Sequence, residues 1–414
     1  TRRLLALAAQ VGKHVSIRAL AAAADLTVEA VMEALAPALT AGHIRGSGDA
    51  ADAAVAFAHP RVQRAALDLR AESTRRREAR GFARRLVAAG DVVDPFVAAD
   101  RCVEAAAAGE PLEEVDAIPF ARVLLRAARA ARLAGAPATS LSYVELAAAL
   151  LGEAWAREPE LLGSLYLEGA RASVIVVERA PKPDFITRLL EEPLDPDARA
   201  VVRSLQIDRH LARWENEAAL DTTILALAEL GCHLPRHPGA VRVAKGLLDT
   251  TWSLWRLGDV ALAELPIATD RRVAAAQDLL LRPIVAAYLS APNLLPLLIL
   301  RCIDLTLSGG VSPVSAWAFS SYAFVQAAVL GKLDRAVYFS HLARSIAARV
   351  DGRFFTSRVE LTIVGFVESR TGRLGAVADI YARLAKQALS QGDWEYAVVS
   401  ANNTLLFGIA CGTG

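Results

Sequence analysis

Among the residue groups that could do chemistry, the tightest in sequence is Cys232-His233 followed by His237. Thiolate and imidazole are zinc ligands. Here Leu234-Pro235-Arg236 makes the stretch a loop, and no fourth ligand lies near it. The expectation is therefore a connection between helices and no metal. Gly12-Lys13-His14 lacks both the upstream glycine and the following Ser or Thr of a phosphate-cradling loop. No Gly-x-Ser-x-Gly elbow, His-Glu-x-x-His helix or kinase loop occurs. These absences predict no catalytic residue, no cofactor and no enzymatic activity within this chain. Arg75-Arg76-Arg77, with Arg80, Arg84 and Arg85, could meet phosphate or nucleic acid. Glu72 and Glu78 interrupt the run, as they do on a solvated helix face. Trp252 and Trp255, with Trp317, Phe319, Tyr322 and Phe324, sit at helical spacing. Trp252, Trp255, Trp317 and Tyr322 could line a ligand groove, although such residues more often fill the seam between stacked helices.

The elements that would position these groups are almost all helical. Leu4, Leu5 and Leu7 open a first helix, Ser16 caps a second over Ile17–Ala24, and Thr27 caps a third carrying Val28, Val31, Met32, Leu35 and Leu39. Gly42 suits a left-handed helix end. His43-Ile44-Arg45, a polar turn at 46–49 and Val55-Ala56-Phe57-Ala58 read as a small hairpin, or wing. Residues 1–70 thus form a winged-helix-like domain. Its presumptive recognition helix, 27–40, has no Lys or Arg, so no nucleic-acid partner is predicted. Residues 61–85 read as one charged helix joining this domain rigidly to the next helices. Residues 71–197 are a helical linker and first repeats, punctuated at Gly90, Gly109-Glu110-Pro111, Gly135-Ala136-Pro137 and Glu158-Pro159. Val174-Ile175-Val176-Val177 continues the helical pattern from Leu161, and Pro181, Pro183, Pro193 and Pro196 mark a less regular connection.

Residues 198–414 repeat a theme in which a helix ends at Gly, polar residues come next and Ala opens another helix. Gly331-Lys332-Leu333-Asp334-Arg335-Ala336, Gly372-Arg373-Leu374-Gly375-Ala376-Val377 and Gly392-Asp393-Trp394-Glu395-Tyr396-Ala397 are examples, with a related turn at Trp214-Glu215-Asn216-Glu217-Ala218. Such spacing suits helix-pair repeats. The fold class predicted is all-α, with helix above about 60% of residues.

Composition bounds the remaining choices. The chain has 414 residues, with 46 Lys plus Arg against 45 Asp plus Glu. A net charge of +1 gives no global basic excess for a polyanion. With 54% apolar residues, disorder is excluded as a general description. Residues 283–300 carry no charge, but Pro283, Pro292 and Pro296 interrupt them, so two buried helices around a turn are expected and no membrane span. Four dispersed cysteines fit buried thiols in a reducing, cytoplasmic compartment. The start at Thr1 without a leader pattern reads as a piece of a longer protein.

The repeat turns, together with 221–237 and 283–328, resemble the tetratricopeptide-like region of bacterial STAND-class signalling ATPases (signal-transducing ATPases with numerous domains). The most telling stretch is Pro292-Asn293-Leu294-Leu295 to Leu300-Arg301, then Leu305, Ser312-Pro313-Val314-Ser315-Ala316 and Tyr322. Phe57-Ala58-His59-Pro60-Arg61-Val62-Gln63-Arg64-Ala65-Ala66 resembles the winged helix that follows the NTPase core of such proteins, with Pro60 where members often carry an acidic residue. The resemblance implies ATP or ADP in an NTPase domain outside these residues, and a kinase, cyclase or transcriptional output. It also implies that His59 reaches the phosphates of ADP held there, a role an imidazole N–H can fill chemically. The other use of such a histidine is to cap a local carbonyl at the strand end. The function expected is regulatory: residues 198–414, a tetratricopeptide-like α-solenoid, bind a protein or small-molecule signal, and the chain controls its own NTPase domain, with oligomerisation on activation. A passive scaffold for protein assembly, or a helical enzyme of another kind, are the alternatives.

Overall fold

The computed structural model describes residues 1–48, 53–108, 114–152, 158–350, 355–372, 374–391 and 393–412. The turn residues Asp49, Gly109-Glu110-Pro111, Arg373 and Gly392 lie outside the described residues. Helix makes up 77% of the chain, so the all-α class holds. The chain divides into two compact units, Thr1–Glu192 and Pro193–Gly414.

The first unit opens with α1 (Arg2–Val11), β1 (His14–Ser16), α2 (Ile17–Ala24), α3 (Val28–Thr40), β2 (Ile44–Ser47) and β3 (Ala54–Phe57). The cap residues act as their types dictate. Ser16 Oγ accepts from the Ala19 N–H and Thr27 Oγ1 from the Ala30 N–H. Gly42 takes the left-handed conformation at φ 70°, and His43 N–H donates back to the Ala38 carbonyl, which closes α3. The three strands form an antiparallel sheet in the order β1-β3-β2, with Val15 opposite Val55 and Ile44 opposite Phe57. Val15, Ile44, Val55 and Phe57 are buried with Leu7, Leu20 and Leu35 of the helices.

After the sheet come α4 (Pro60–Asp68), α5 (Glu72–Ala88), α6 (Pro95–Ala107), α7 (Glu114–Leu133), α8 (Pro137–Leu151), α9 (Pro159–Ile175) and α10 (Phe185–Glu191). The single charged helix expected over 61–85 is therefore two helices. Ala71 is extended at φ −56°, ψ 143°. Asp68 disfavours the C-terminus of α4 and Glu72 favours the N-terminus of α5, so the charge pattern itself places the break. Arg70 staples the corner by reaching Glu78 at 2.5 Å. The expected boundary at 70/71 falls inside this unit, where Arg85 Nε donates to the Ala23 carbonyl at 2.7 Å and ties α5 to α2. Alanines at 121, 127, 128, 147, 148, 170 and 172 let α7, α8 and α9 approach closely. At the α9–α10 crossing, a Cβ on Gly169 would lie 2.6 Å from the buried Phe185 ring. Glu168, 1% exposed, accepts from Arg132 Nε at 2.5 Å, which holds α7 to α9.

The second unit comprises α11 (Pro196–Ala212), α12 (Asn216–Glu229), α13 (Ala240–Leu257), α14 (Asp259–Ala263), α15 (Arg271–Leu281), α16 (Ile284–Ser290), α17 (Leu294–Gly309), α18 (Pro313–Ala328), α19 (Leu333–Arg349), α20 (Thr356–Ile363), α21 (Ser369–Thr371), α22 (Leu374–Ser390) and α23 (Trp394–Ala410), with a π-helical segment at Val364–Glu368. Consecutive helices pack as pairs: α11 with α12, α18 with α19, α22 with α23. Every residue of α18 except Pro313, Phe324 and Ala328 is buried. A helix buried around its whole circumference, with Ser315, Ser320, Ser321 and Gln326 covered along with its apolar residues, lies in the middle of the packing. The Trp214 turn contains no glycine, so Trp214 itself adopts the left-handed conformation at φ 59°. The uncharged stretch 283–300 divides into α16 and α17, as its prolines suggest. By length and composition Arg271–Ser290 would be apolar enough to cross a bilayer; it is α15 and α16, separated at Arg282-Pro283, with Leu279, Leu280, Leu281 and Ala287 buried.

Candidate functional site

Helix α13 is the least covered long helix of the second unit. Its eighteen residues bury only Thr250 and Leu254. Its inner side is pinned to the rest at three places. Gly246 allows close approach to α17, since a Cβ there would stand 3.0 Å from Leu297 Cδ2. Thr250 Oγ1 donates to Asp304 Oδ1 at 2.9 Å, and the Thr251 hydroxyl pairs with the Tyr322 hydroxyl at 2.9 Å. The outer side is apolar. Val241, Leu248, Trp252 and Trp255 recur at i, i+7, i+11 and i+14, which places them on one stripe. Their exposures are 85%, 71%, 61% and 70%. The two indoles lie against each other, centroids 4.9 Å apart. With aromatic side chains presenting ~150–250 Å² each, the stripe is on the order of 500 Å², the size at which an exposed patch marks an interaction surface. Arg242, Lys245 and Arg256 flank it against the single acid Asp249, which Lys245 meets at 2.7 Å.

The other two aromatics expected in the same groove are elsewhere. Trp317 is 3% exposed and Tyr322 is fully buried, both on α18. They are core residues, because α17, α19 and α20 pack around that helix. Tyr322 touches the site only from below, through the Thr251 hydroxyl. Trp317 walls a cavity of about 250 Å³ with Asp208, Asp278, Arg282, Phe355 and Arg358. Arg282 Nη1 donates to both Asp208 oxygens at 2.8 and 2.7 Å, and its Nη2 donates to Asp278 Oδ2 at 2.5 Å. Burial pushes the Asp208 carboxyl above its usual range although Arg282 opposes the shift. Arg358 lies over the Tyr396 ring at 4.5 Å and the Trp317 ring at 5.2 Å, with its Nε on Asp393 at 2.9 Å. Each charge in this cluster has a partner inside the unit, so its first role is to join α11, α15, α20 and α23. No sequence motif marks the cluster, because Asp208 and Arg282 lie 74 residues apart.

His59 is exposed and caps α4. Its Nδ1 accepts the Arg61 N–H at 3.1 Å. Its local partner is thus a backbone donor, one of those left over at a helix start, and not a carbonyl. A neutral imidazole accepting at Nδ1 carries its proton on Nε2, which is then a donor. Cys232 is buried and accepts from Arg301 Nε at 3.3 Å. Among the described residues no three His, Cys, Asp or Glu side chains gather to hold a metal.

No protein-family model matches the chain, and no curated protein or solved structure matches it.

Proposed function

We propose that the chain is the regulatory region of a bacterial STAND-class signalling ATPase, and that a protein signal docks on the outer stripe of α13. In this reading residues 1–70 are a winged-helix-like domain, residues 198–414 are a tetratricopeptide-like α-solenoid, and the NTPase core and output domain lie outside these residues. The observation that carries the docking role is the exposed Val241, Leu248, Trp252 and Trp255 stripe. A stripe of this length accepts an amphipathic helix laid along it, with apolar anchors at matching spacing. The basic flanks Arg242, Lys245 and Arg256 favour a partner helix with acidic edges. Hot spots concentrate in tryptophan, so Trp252 and Trp255 are the anchors. Trp252→Ser/Trp255→Ser in the intact protein should abolish the signal-dependent rise of its output in cells while basal ATP turnover of the purified protein is kept. An undiminished response refutes the docking role.

Two further parts of the reading rest on His59 and on α18. His59 Nε2–H donates to the phosphates of ADP in the neighbouring NTPase core and favours the closed state. His59→Asn keeps a side chain able to cap α4 but removes that donor's position, so ADP release should accelerate without loss of stability. Unchanged ADP release would end this assignment. Communication runs from α13 to the buried α18 through the Thr251–Tyr322 hydroxyl pair. A signal shifts the population only by its differential affinity for the two states.

A further inference from the structure

Helix α23 carries two apolar stripes, and the unit uses only one of them. The inner stripe is fixed in place. Tyr396 and Ser400 are buried, Phe407 stacks on the Tyr381 ring at 5.5 Å, and Asp393 caps the helix at the Tyr396 N–H while holding Arg358 at 2.9 Å. The outer stripe is Val398, Asn402, Leu405 and Ile409, with Val399 and Leu406 beside it. Val398, Leu405, Leu406 and Ile409 are 67%, 66%, 56% and 72% exposed. Their spacing of four, three and four is that of a coiled-coil seam. No Asp, Glu, Lys, Arg or His occurs from Tyr396 to Gly414, so no charge lies on this face of the helix. An exposed helix face normally carries charge, and an apolar one marks an interaction surface.

We infer that the outer stripe of α23 is a dimerisation surface on which a second copy of this chain packs antiparallel about a two-fold axis through Asn402. Such an interface must be self-complementary, so that residue i meets j and j meets i. The stripe meets that condition. Val399 and Leu405 each lie three residues from Asn402, and Val398 and Leu406 each lie four. The axis therefore sets Val399 on Leu405 of the other copy and Val398 on Leu406, with Asn402 on itself. A carboxamide both donates and accepts, so two of them satisfy each other and fix the register. Ala401 is small and exposed next to the axis, which lets the two backbones approach. The uncharged face meets its own copy without like-charge repulsion. A different protein would be chosen through complementary charge, and a helix lying on lipid would carry Lys or Arg along its flank. Neither device is present on this face. The stripe offers on the order of 500 Å² per copy and ~1,000 Å² for two, which is the floor for a specific interface and suits a reversible dimer. The surface is separate from the α13 stripe, and the inference does not rest on the ATPase reading.

The test is sedimentation velocity of the full chain from about 1 to 100 μM. A reversible dimer of two 44.0 kDa chains is expected, with a Kd of about 1–10 μM. Leu405→Glu should weaken it about a hundredfold or more, because each copy then sets a carboxylate against an apolar side chain. At concentrations where both proteins are monomeric, its circular dichroism should match that of the wild type, since the side chain is exposed. Trp252→Ser/Trp255→Ser should leave the dimer within about twofold. Mild oxidation reads the register. Asn402→Cys should cross-link to itself above the wild-type level. Val398→Cys should not, and should cross-link when mixed with Leu406→Cys. The inference is overturned by a monomer throughout the range, by a dimer that Leu405→Glu leaves intact, by loss of the dimer in the α13 variant, or by failure of the Asn402→Cys cross-link. A monomer that binds phosphatidylcholine vesicles through Leu405 assigns the face to lipid. A monomer whose Leu405→Cys thiol is protected in the intact protein assigns it to another part of that protein. Either of these also overturns the inference.

Discussion

Replacing tryptophans one at a time separates the two aromatic groups of the second unit. Trp317→Ala removes a side chain that is 3% exposed and packed edge-on against Tyr396 at 6.0 Å, under the Arg358 guanidinium. Truncating a core aromatic of this kind costs about 3–5 kcal/mol. Trp255→Ser removes a side chain that is 70% exposed. Its loss forfeits mainly the contact with Trp252, about 1 kcal/mol. In urea, with a slope of about 2–3 kcal/mol per molar, Trp317→Ala should move the midpoint of the second unit down by about 1–2 M. Trp255→Ser should move it by less than about 0.5 M. Far-UV circular dichroism follows the transition, and intrinsic fluorescence, to which the second unit contributes five of the six tryptophans, gives a second probe. Equal shifts for the two variants would refute the reasoning, because they would mean that the α13 stripe is covered.

Single contacts give further expected outcomes. Glu168→Ala leaves Arg132 without its buried partner and should cost about 3–5 kcal/mol, while Glu168→Gln, which still accepts a hydrogen bond, should cost clearly less in the same urea titration. Trp214→Gly relieves a left-handed non-glycine residue and should raise stability by up to about 1 kcal/mol in thermal unfolding. The hydrogen bond from Arg335 holds the Asp259 carboxyl below its ordinary range. A depressed carboxylate stabilises the fold above its unfolded pKa, and that contribution fades as pH falls through the folded value; Asp259→Asn should therefore flatten part of the acid limb of a stability-against-pH curve. Burial pushes the Cys102 thiol up to about 12 and raises Cys302 as well. Native protein should show one readily titrated thiol, the half-buried Cys411, with Cys102, Cys232 and Cys302 reacting only on unfolding in a thiol-reagent assay.

Much of the local structure is legible because it is written in neighbouring residues. Ser16, Thr27 and Gly42 each act on a backbone group within a few positions. The Pro292-Asn293 turn and the Gly331 turn stand between helices for the same reason. The break between α4 and α5 is hard to see in the sequence because 61–85 has helix-forming residues throughout, and only two acids, Asp68 at the end of α4 and Glu72 at the start of α5, mark it. The candidate sites are less legible. Trp252 and Trp255 lie three apart and Trp317 and Tyr322 five apart, and such spacing does not reveal that α18 has neighbours on every side while α13 has them on one. Arg75 and Arg77 look alike in a charge run. They differ in that Arg75 is half-buried against a groove and Arg77 is exposed.

A docking role for the α13 stripe, with occupancy governing an attached ATPase, is tested most directly by steady-state ATP turnover of the intact protein. The turnover is measured with a panel of nanobodies that bind the wild type and fail to bind Trp252→Ser/Trp255→Ser. Occupancy of the stripe should change turnover in a saturable way, and the double variant should be unresponsive to the same nanobodies. Turnover that stays constant with the stripe fully occupied by every member of the panel would contradict the regulatory role and leave a passive scaffold in its place.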